Sequence, residues 1–234
     1  MAANLAPGSI QHTPAAQDAV ALRQVFASVT AESCPHTYNF HMHTNHSDGQ
    51  LHPESLAQQA IDLSLSGFAI TDHHQITGFR AAQQYLKAWE LKEKQPAPQL
   101  WTGTEITSRL LETEVHILGF AFDPEHEEIR SYLQGTAPQG EAAIAARVIS
   151  AIHQAGGIAV LAHPARYRRS VDELIPAAAM LGIDGVETYY AYNNPKPWQP
   201  SPKETQHVQG FSEKFQLLST CGTDTHGLSL LQRV

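Results

Sequence analysis

The chain has 234 residues, of which 42% are hydrophobic, enough to bury a full core in one domain. Its 15 basic and 23 acidic residues give a formal net charge of -8, which argues against broad electrostatic capture of long nucleic acid or of an anionic membrane. The two cysteines, Cys34 and Cys221, predict neither a disulfide framework nor a thiolate zinc site. With no secretory signal or apolar membrane-spanning run in the sequence, we expect a cytoplasmic protein.

The predicted elements alternate along the chain. Short apolar or β-branched runs are followed by longer segments of helical periodicity, which favours βαβ units and a mainly parallel sheet. A helix is expected near residues 15–29. Strands are predicted at about 38–43, 67–72, 100–106, 115–122, 157–162, 185–190 and 216–222. A helix is predicted from Pro53 until shortly before Gly67, and others at about 78–93, 140–155, 170–181 and 202–214.

A pair of histidines closes the first predicted strand. Side chains alternate along a strand, so His41 and His43 face the same way and form a His-x-His chelate. Alone, such a pair is more often a structural accident than a metal site. Here, however, nearly every predicted strand delivers a histidine or a carboxylate near one end, where a barrel of parallel strands builds its site. These residues are Asp48, His73, Glu105, His116, His163, Asp224 and His226.

This set of residue types indicates the class of metal. Imidazoles with a few carboxylates and no thiolates suit zinc, manganese or iron better than calcium or magnesium, which prefer oxygen ligands. We therefore expect two or three divalent ions of that kind, whose positive charge would let an acidic protein hold an anionic substrate locally. Asp72 directly precedes His73 and should point away from it, which favours a structural role.

The motifs resemble those of the PHP (polymerase and histidinol phosphatase) domain superfamily over about residues 38–227. They are His41-Met42-His43 with Ser47-Asp48-Gly49, Thr71-Asp72-His73, Gly103-Thr104-Glu105, Val115-His116, His163-Pro164 and Thr223-Asp224-Thr225-His226. The resemblance implies a stand-alone metal-dependent phosphoesterase with an α/β fold, a distorted (β/α)7 barrel and a trinuclear metal centre. The barrel domain would span residues 38–234, after an N-terminal helical extension at residues 1–37.

The resemblance also assigns the metal ligands. His41, His43, Glu105 and Asp224 would hold the first ion. Glu105, as a bridging ligand, would hold the second ion with His116 and His163, and the third ion would lie between Asp48, His73 and His226. Of these ligands, Glu105, His163 and Asp224 are predicted to be the catalytic residues.

The implied chemistry is hydrolysis at phosphorus by a metal-activated hydroxide. Arg166 is the first choice for binding the substrate, because a guanidinium can grip a phosphate through two parallel hydrogen bonds. His46 and His74 lie close in sequence to predicted ligands and could contact the phosphate or protonate the leaving group. The family often has Asp where His74 stands, so a role carried over from that position is in doubt.

The leading hypothesis is a phosphatase that acts on a small phosphorylated metabolite or nucleotide, with neither long nucleic acid nor a membrane as partner. A 5′-to-3′ exonuclease or oligonucleotidase is the alternative, because residues 123–156 have room for only about two helices over the site. The net charge disfavours it, whereas Tyr189, Tyr190, Tyr192 and Trp198 could stack a base. A non-catalytic metal-binding regulatory module and a C–N bond hydrolase rank lower, and the oligomeric state is left open.

Overall fold

The computed structural model describes residues 14–234, so residues 1–13 of the predicted N-terminal extension lie outside the described part of the chain. The α-helices are α1 (Ala19–Phe26), α2 (Pro53–Asp62), α3 (Thr77–Glu93), α4 (Glu127–Arg130), α5 (Ala145–Gln154), α6 (Val171–Met180) and α7 (Pro202–Phe215). The strands are β1 (Tyr38–Asn39), β2 (Gly67–Ala69), β3 (Gln99–Trp101), β4 (Gly103–Leu110), β5 (Thr113–Phe120), β6 (Ile158–Leu161), β7 (Gly185–Tyr189) and β8 (Leu218–Cys221). Helices and strands are mixed along the chain, which confirms the predicted α/β class.

The strands form two sheets. Strands β1, β2 and β3 make a parallel sheet in that order, and the second sheet has the order β4-β5-β6-β7-β8. Within the second sheet β5 runs antiparallel to both β4 and β6, whereas β6, β7 and β8 are parallel. Two isolated parallel bridges connect the sheets, one between Met42 and Thr225 and one between His73 and Glu105. The sheets therefore meet at the segments that carry the predicted ligands.

The prediction of seven mainly parallel strands is wrong in two places. The predicted strand at 100–106 is divided between β3 and β4, which belong to different sheets. Thr102 separates them, and Gly103 permits the change of sheet because a Cβ there would lie 2.5 Å from the carbonyl oxygen of Ile70. As a result Glu105 lies near the start of β4 and does not close a strand. The second difference is β5, which pairs with β4 as an antiparallel hairpin.

The helix predicted at 15–29 is also divided. A 3-10 turn at Ala15–Gln17 precedes α1, and Asp18 caps α1 by accepting a hydrogen bond from the backbone N–H of Ala21. The apolar side of α1 is buried, and the ring of Phe26 lies 4.9 Å from that of Phe40 and 5.5 Å from that of Phe120. The predicted N-terminal extension thus contributes aromatic packing to the same core as β1 and β5.

The core has two clusters of buried apolar side chains. The larger lies between the helices and the strands and includes Leu56, Phe68 and Ile152, and the smaller contains Phe26, Phe40 and Trp101. Both cysteines are buried in the smaller cluster and are free thiols. None of the helices described here is long and apolar enough to cross a membrane.

Candidate metal centre

Two histidines after β1 lie in the middle of the candidate site. His41 and His43 are fully buried, and Nε2 of each lies 3.1 Å from Oε2 of Glu105. Their segment is held by a backbone hydrogen bond from His43 to the carbonyl of Thr225, 3.0 Å long. Gly222 permits this close approach, since a Cβ there would lie 2.2 Å from Cβ of His41. The chelate is therefore built where the ends of β1 and β8 run side by side.

Both carboxylate oxygens of Glu105 lie close to histidine side chains. Oε1 lies 2.7 Å from Nδ1 of His116 and 3.3 Å from Nε2 of His163, and Oε2 lies 3.7 Å from Nε2 of His73. Burial would raise the pKa of Glu105, but His41 and His116 outweigh it and hold the pKa well below its ordinary value. The carboxylate is thus ionised at neutral pH, as a bridging ligand must be.

Asp224 reaches the same histidines from the other side. Its Oδ1 lies 3.4 Å from Nε2 of His41 and 3.2 Å from Nε2 of His43. Burial alone would raise the pKa of Asp224, but the two imidazoles outweigh it and keep the pKa well below its usual range. Asp224 has a positive φ of 51°, a conformation that non-glycine residues seldom adopt and that clusters at functional sites.

The solvent-facing part of the site consists of Asp48, His73 and His226. Oδ2 of Asp48 lies 3.1 Å from Nε2 of His226 and 3.6 Å from Nε2 of His73. The side chain of Asp48 is 53% exposed, in contrast to the fully buried His41 and His43. Burial opposes ionisation of Asp48, but the hydrogen bonds from His226 and His73 outweigh it and lower its pKa.

The structure brings all nine predicted ligands into one connected cluster, and three subsets of them have ligand atoms close enough to share one ion. The subsets are His41, His43, Glu105 and Asp224; His43, Asp48, His73 and His226; and His73, Glu105 and His116. The first is the set predicted for the first ion. The second subset consists of the three residues predicted for the third ion, together with His43. The last subset corresponds to the set predicted for the second ion, but it contains His73 in place of His163. The role of each residue as a ligand stays a prediction.

The donor set fits divalent ions, and His43 gives the most direct indication. Among residues 14–234, neither ring nitrogen of His43 has a hydrogen-bond partner with good angular geometry, although the ring is fully buried. Burying an unpaired imidazole is costly, and buried polar groups are normally satisfied. Nε2 of His43 nevertheless points at two carboxylates, within 3.1 Å of Glu105 and 3.2 Å of Asp224. An ion between these atoms would satisfy all three side chains.

Asp72 supports the loop that carries Asp48. Its carboxylate accepts hydrogen bonds from the backbone N–H and hydroxyl of Thr44, each 2.7 Å long, and from the hydroxyl of Ser47 at 2.8 Å. Gly78 at the start of α3 leaves room for this carboxylate, because a Cβ there would lie 2.0 Å from Oδ2 of Asp72. Asp72 is absent from the subsets that could hold an ion, and its contacts are those of a structural residue.

The three predicted substrate-binding residues lie in different surroundings. Arg166, in a 3-10 turn after β6, is 46% exposed and donates to Oδ2 of Asp224 at 3.2 Å. His46 is exposed, and its Nδ1 lies 2.8 Å from the hydroxyl of Thr77. His74 is buried, and burial together with His73 and His116 lowers its pKa to about 4. His74 is therefore neutral at pH 7 and does not hold the proton that a general acid would need.

Sequence reasoning missed two residues that contact the cluster, Glu187 and Arg233, and considered Tyr190 only for stacking a base. Glu187 in β7 lies 3.0 Å from Nδ1 of His41, and Asp224 Oδ2 accepts hydrogen bonds from Tyr190 at 2.7 Å and from Arg233 at 2.8 Å. Glu187 had a signal, because it is an acidic residue within an otherwise apolar predicted strand, where a charge needs a partner. Nothing in the sequence marks Arg233, whose contact exists only because the segment after His226 folds back.

The family comparison agrees with this geometry. The family model of the PHP domain matches residues 39–131, which include six of the nine predicted ligands, from His41 to His116. Over these residues the chain is similar to PHP domains. The predicted PHP resemblance is thereby confirmed.

Individual relatives are similar over different lengths. The chain is 34% identical over 96 residues to the 5′-3′ exoribonuclease Rnm of Salmonella typhimurium, a match that covers 41% of this chain and only 31% of that protein. It is 24% identical to a 5′-3′ exoribonuclease of Haemophilus influenzae, over 81% of this chain and 89% of the relative. A solved structure from Bifidobacterium adolescentis, named as a metal-dependent phosphoesterase, superposes with a TM-score of 0.66 at 24% identity, covering 82% of this chain and 88% of that one. At that identity the structural similarity shows the fold alone.

Proposed function

We propose that this chain hydrolyses phosphate esters with divalent ions held by the nine clustered side chains. The observation that carries the proposal is the environment of Glu105, whose two oxygens face five imidazoles in a buried site. An ionised carboxylate surrounded by imidazoles is suited to bridge two ions. Zinc, manganese and iron are the candidates, and two or three ions fit the overlapping subsets. Such ions supply Lewis acidity and lower the pKa of water.

The side chains of the protein would bind and orient the substrate. Arg166 and Arg233 both donate to Oδ2 of Asp224, so two guanidinium groups share one carboxylate and one positive charge remains beside the cluster. Arg166 uses one nitrogen of its guanidinium for this contact. Because its side chain is partly exposed, its other N–H groups can approach a phosphate oxygen from solvent. We assign the substrate phosphate to this side of the site. His74, which is neutral, would act through hydrogen bonding rather than by donating a proton.

For the substrate, we propose the 5′ end of a short RNA. The proposal is supported by the relatives from Salmonella and Haemophilus, both 5′-3′ exoribonucleases. The region between β5 and β6 holds only α4, a 3-10 turn and α5, with no larger inserted domain. The net charge of -8 disfavours long nucleic acid, so the proposal is limited to a short strand held locally.

A small phosphate monoester is the second candidate substrate. The observation that favours it is the compact placement of the positive charge, since Arg166 and Arg233 converge on a single carboxylate oxygen. This arrangement can hold one phosphate group, but it is not an extended basic groove along which a strand would lie.

One experiment separates these candidates. The protein, loaded with manganese or with zinc, is incubated with 5′-phosphorylated RNA of two to ten nucleotides and with mononucleotides and sugar phosphates, beside a chelated control. The proposed activity predicts mononucleotides released in order from the 5′ end. Release of inorganic phosphate from monoesters alone would favour the phosphatase. Bound metal without any turnover would indicate a binding module and contradict both proposals.

We also infer that the two sheets form one distorted (β/α)7 barrel. The inference is supported by the bridges that connect Met42 with Thr225 and His73 with Glu105, because they join the sheets along two different edges. A backbone hydrogen bond from Phe40 to the carbonyl of Cys221, 3.1 Å long, lies along the first of these edges. Slow hydrogen exchange of these linking amides would support closure, and exchange at the rate of loop amides would contradict it.

A further inference from the structure

Glu187 is a buried carboxylate beside the metal centre with donors on both oxygens. It lies in β7 and is completely buried. Oε1 lies 3.0 Å from Nδ1 of His41, and Oε2 accepts a hydrogen bond of 2.8 Å from the backbone N–H of His163. Glu187 is in none of the subsets that could hold an ion. It therefore touches two predicted ligands without belonging to a ligand set.

The contact with Glu187 suits one tautomer of the His41 ring. Both ring nitrogens of His41 face carboxylates, and a neutral ring that binds an ion through Nε2 must carry its proton on Nδ1, where Glu187 accepts it. Nε2 then carries the lone pair, and it is Nε2 that faces Glu105 at 3.1 Å and Asp224 at 3.4 Å. A histidine ligand commonly donates its other ring N–H to a carboxylate, which fixes both tautomer and orientation. Glu187 makes this contact for His41.

The contact with His163 supports a strained backbone. His163 has φ of 26° and ψ of 59°, which a residue with a Cβ adopts only when surrounding contacts impose it. The N–H of His163 points at Glu187, and its ring nitrogen Nε2 lies 3.3 Å from Oε1 of Glu105. The same carboxylate thus fixes the ring of one predicted ligand and the main chain of another.

From this geometry we propose that Glu187 is a positioning residue that couples two parts of the metal centre. It holds His41 and His163 at once, and these belong to the ligand sets predicted for the first and second ions. The inference rests on the proposed metal centre. Removing Glu187 is expected to weaken metal binding without removing any ligand.

The test compares Glu187→Gln with Asp184→Asn. The two donors meet different oxygens of Glu187, and glutamine keeps only one of these oxygens, so it cannot replace both contacts. Asp184, just before β7, is the control for the loss of a carboxylate charge, because it also accepts from an imidazole, His153, and from the backbone N–H of Ala159, both on Oδ2, at 2.7 and 2.8 Å. Zinc affinity is measured on the full chain by competition with a chelator. Thermal unfolding of each metal-free variant shows whether it is folded.

The expected result is a zinc affinity weaker by roughly 10- to 100-fold in Glu187→Gln and unchanged in Asp184→Asn. Equal affinity of Glu187→Gln and the wild type would overturn the inference while leaving the metal centre intact. A wild type that binds no zinc would remove the metal centre itself, and the inference with it. Equal weakening in both variants would assign the effect to general destabilisation and also overturn it.

A second measurement does not depend on any variant folding. Nitrogen-15 NMR of the zinc-loaded wild type reports which ring nitrogen of each histidine carries a proton. We expect the proton of His41 on Nδ1, next to Glu187. A proton on Nε2 of His41 would contradict the proposal.

Discussion

At the scale of single residues, the site depends on charges placed where water cannot solvate them. Glu105 is 1% exposed and faces imidazole nitrogen atoms on both sides, so its charge is balanced only by the cluster. Asp224 differs, because one oxygen faces the histidines and the other accepts from Tyr190, Arg166 and Arg233. The two carboxylates therefore have different predicted roles. In the proposed metal centre, Glu105 would belong to more than one ligand set, and Asp224 would connect the metal ligands with the side assigned to substrate.

Replacing Glu105 by glutamine should remove metal binding. The variant keeps the size of the side chain but loses the charge, and its amide N–H groups would face imidazole lone pairs. We expect metal content by elemental analysis to fall by at least one ion per chain and turnover to be lost. Glu112→Gln is the control, since Glu112 lies on the same hairpin and is 87% exposed. Full metal content in Glu105→Gln would contradict the bridging role.

Replacing Arg166 by alanine should weaken substrate binding more than metal binding. Hydrogen bonds to charged groups contribute about 1.5–3 kcal/mol, so kcat/KM should fall by roughly 10- to 100-fold with metal content retained. The measurement is steady-state kinetics on a short 5′-phosphorylated RNA. Arg168→Ala is the matched control, because Arg168 is exposed two residues away. Unchanged kinetics in Arg166→Ala would exclude Arg166 from the substrate site.

At the scale of elements, α1 is attached to the second sheet through Asp184. This carboxylate pairs with Arg23 of α1, with His153 of α5 and with the backbone N–H of Ala159 in β6. Burial would raise the pKa of Asp184, but the hydrogen bonds from His153, Ala159 and Arg23 outweigh it and lower the pKa. Asp184 thus joins α1 and α5 to β6, the middle strand of the second sheet.

This attachment should make stability depend on pH. Because the pKa of Asp184 is lower in the folded chain, its contribution is complete above the ordinary aspartate pKa and is lost as pH falls through the lowered value. Asp184→Asn should lower the free energy of unfolding by about 1–3 kcal/mol at pH 7, and the difference should shrink in acid. Urea unfolding of the metal-free proteins at several pH values measures it. A difference that does not change with pH would contradict the assignment.

Helices were predictable from the sequence where local signals were enough to identify them. The helix at Pro53 and the helices near 78–93 and 202–214 have strong periodicity and starting residues, and α2, α3 and α7 lie there. The change of sheet at Thr102 was not predictable, because an apolar run through β3 and β4 looks like one strand. It is decided by the close approach of Gly103 to the carbonyl of Ile70, a contact between distant segments.

At the scale of the whole molecule, the candidate ligands come from both sheets and from most of the chain's length. His41 and His73 follow strands of the first sheet, whereas Glu105 and His116 lie within strands of the second. The sequence predicted that these residues gather, because each lies near an end of a predicted strand. It could not predict how they divide among ions, since that depends on differences in distance of less than an ångström. The subset of His73, Glu105 and His116, in which His163 was predicted in place of His73, is an example.

Metal should therefore stabilise the chain as a unit. Ligand binding to the folded state adds about 2.7 kcal/mol when the ion is at 100 times its Kd, which corresponds to roughly 5–11 °C in Tm for a domain of this size. Melting with zinc or manganese and with a chelator should show this difference in a single transition. The Glu105→Gln variant should show little of it. A wild-type Tm that is the same with metal and with chelator would contradict a shared site.

The pairing of Met42 with Thr225 also determines when the site can exist during synthesis. His41 and His43 are made early, but the segment that completes their surroundings follows the eighth strand. At a synthesis rate of about 5–20 residues per second, on the order of 10–40 s pass before His226 is added. Until then a growing chain offers an ion only partial sets of donors. Loading with metal is consequently a late event in biogenesis, and fragments released before that point would lack a complete centre.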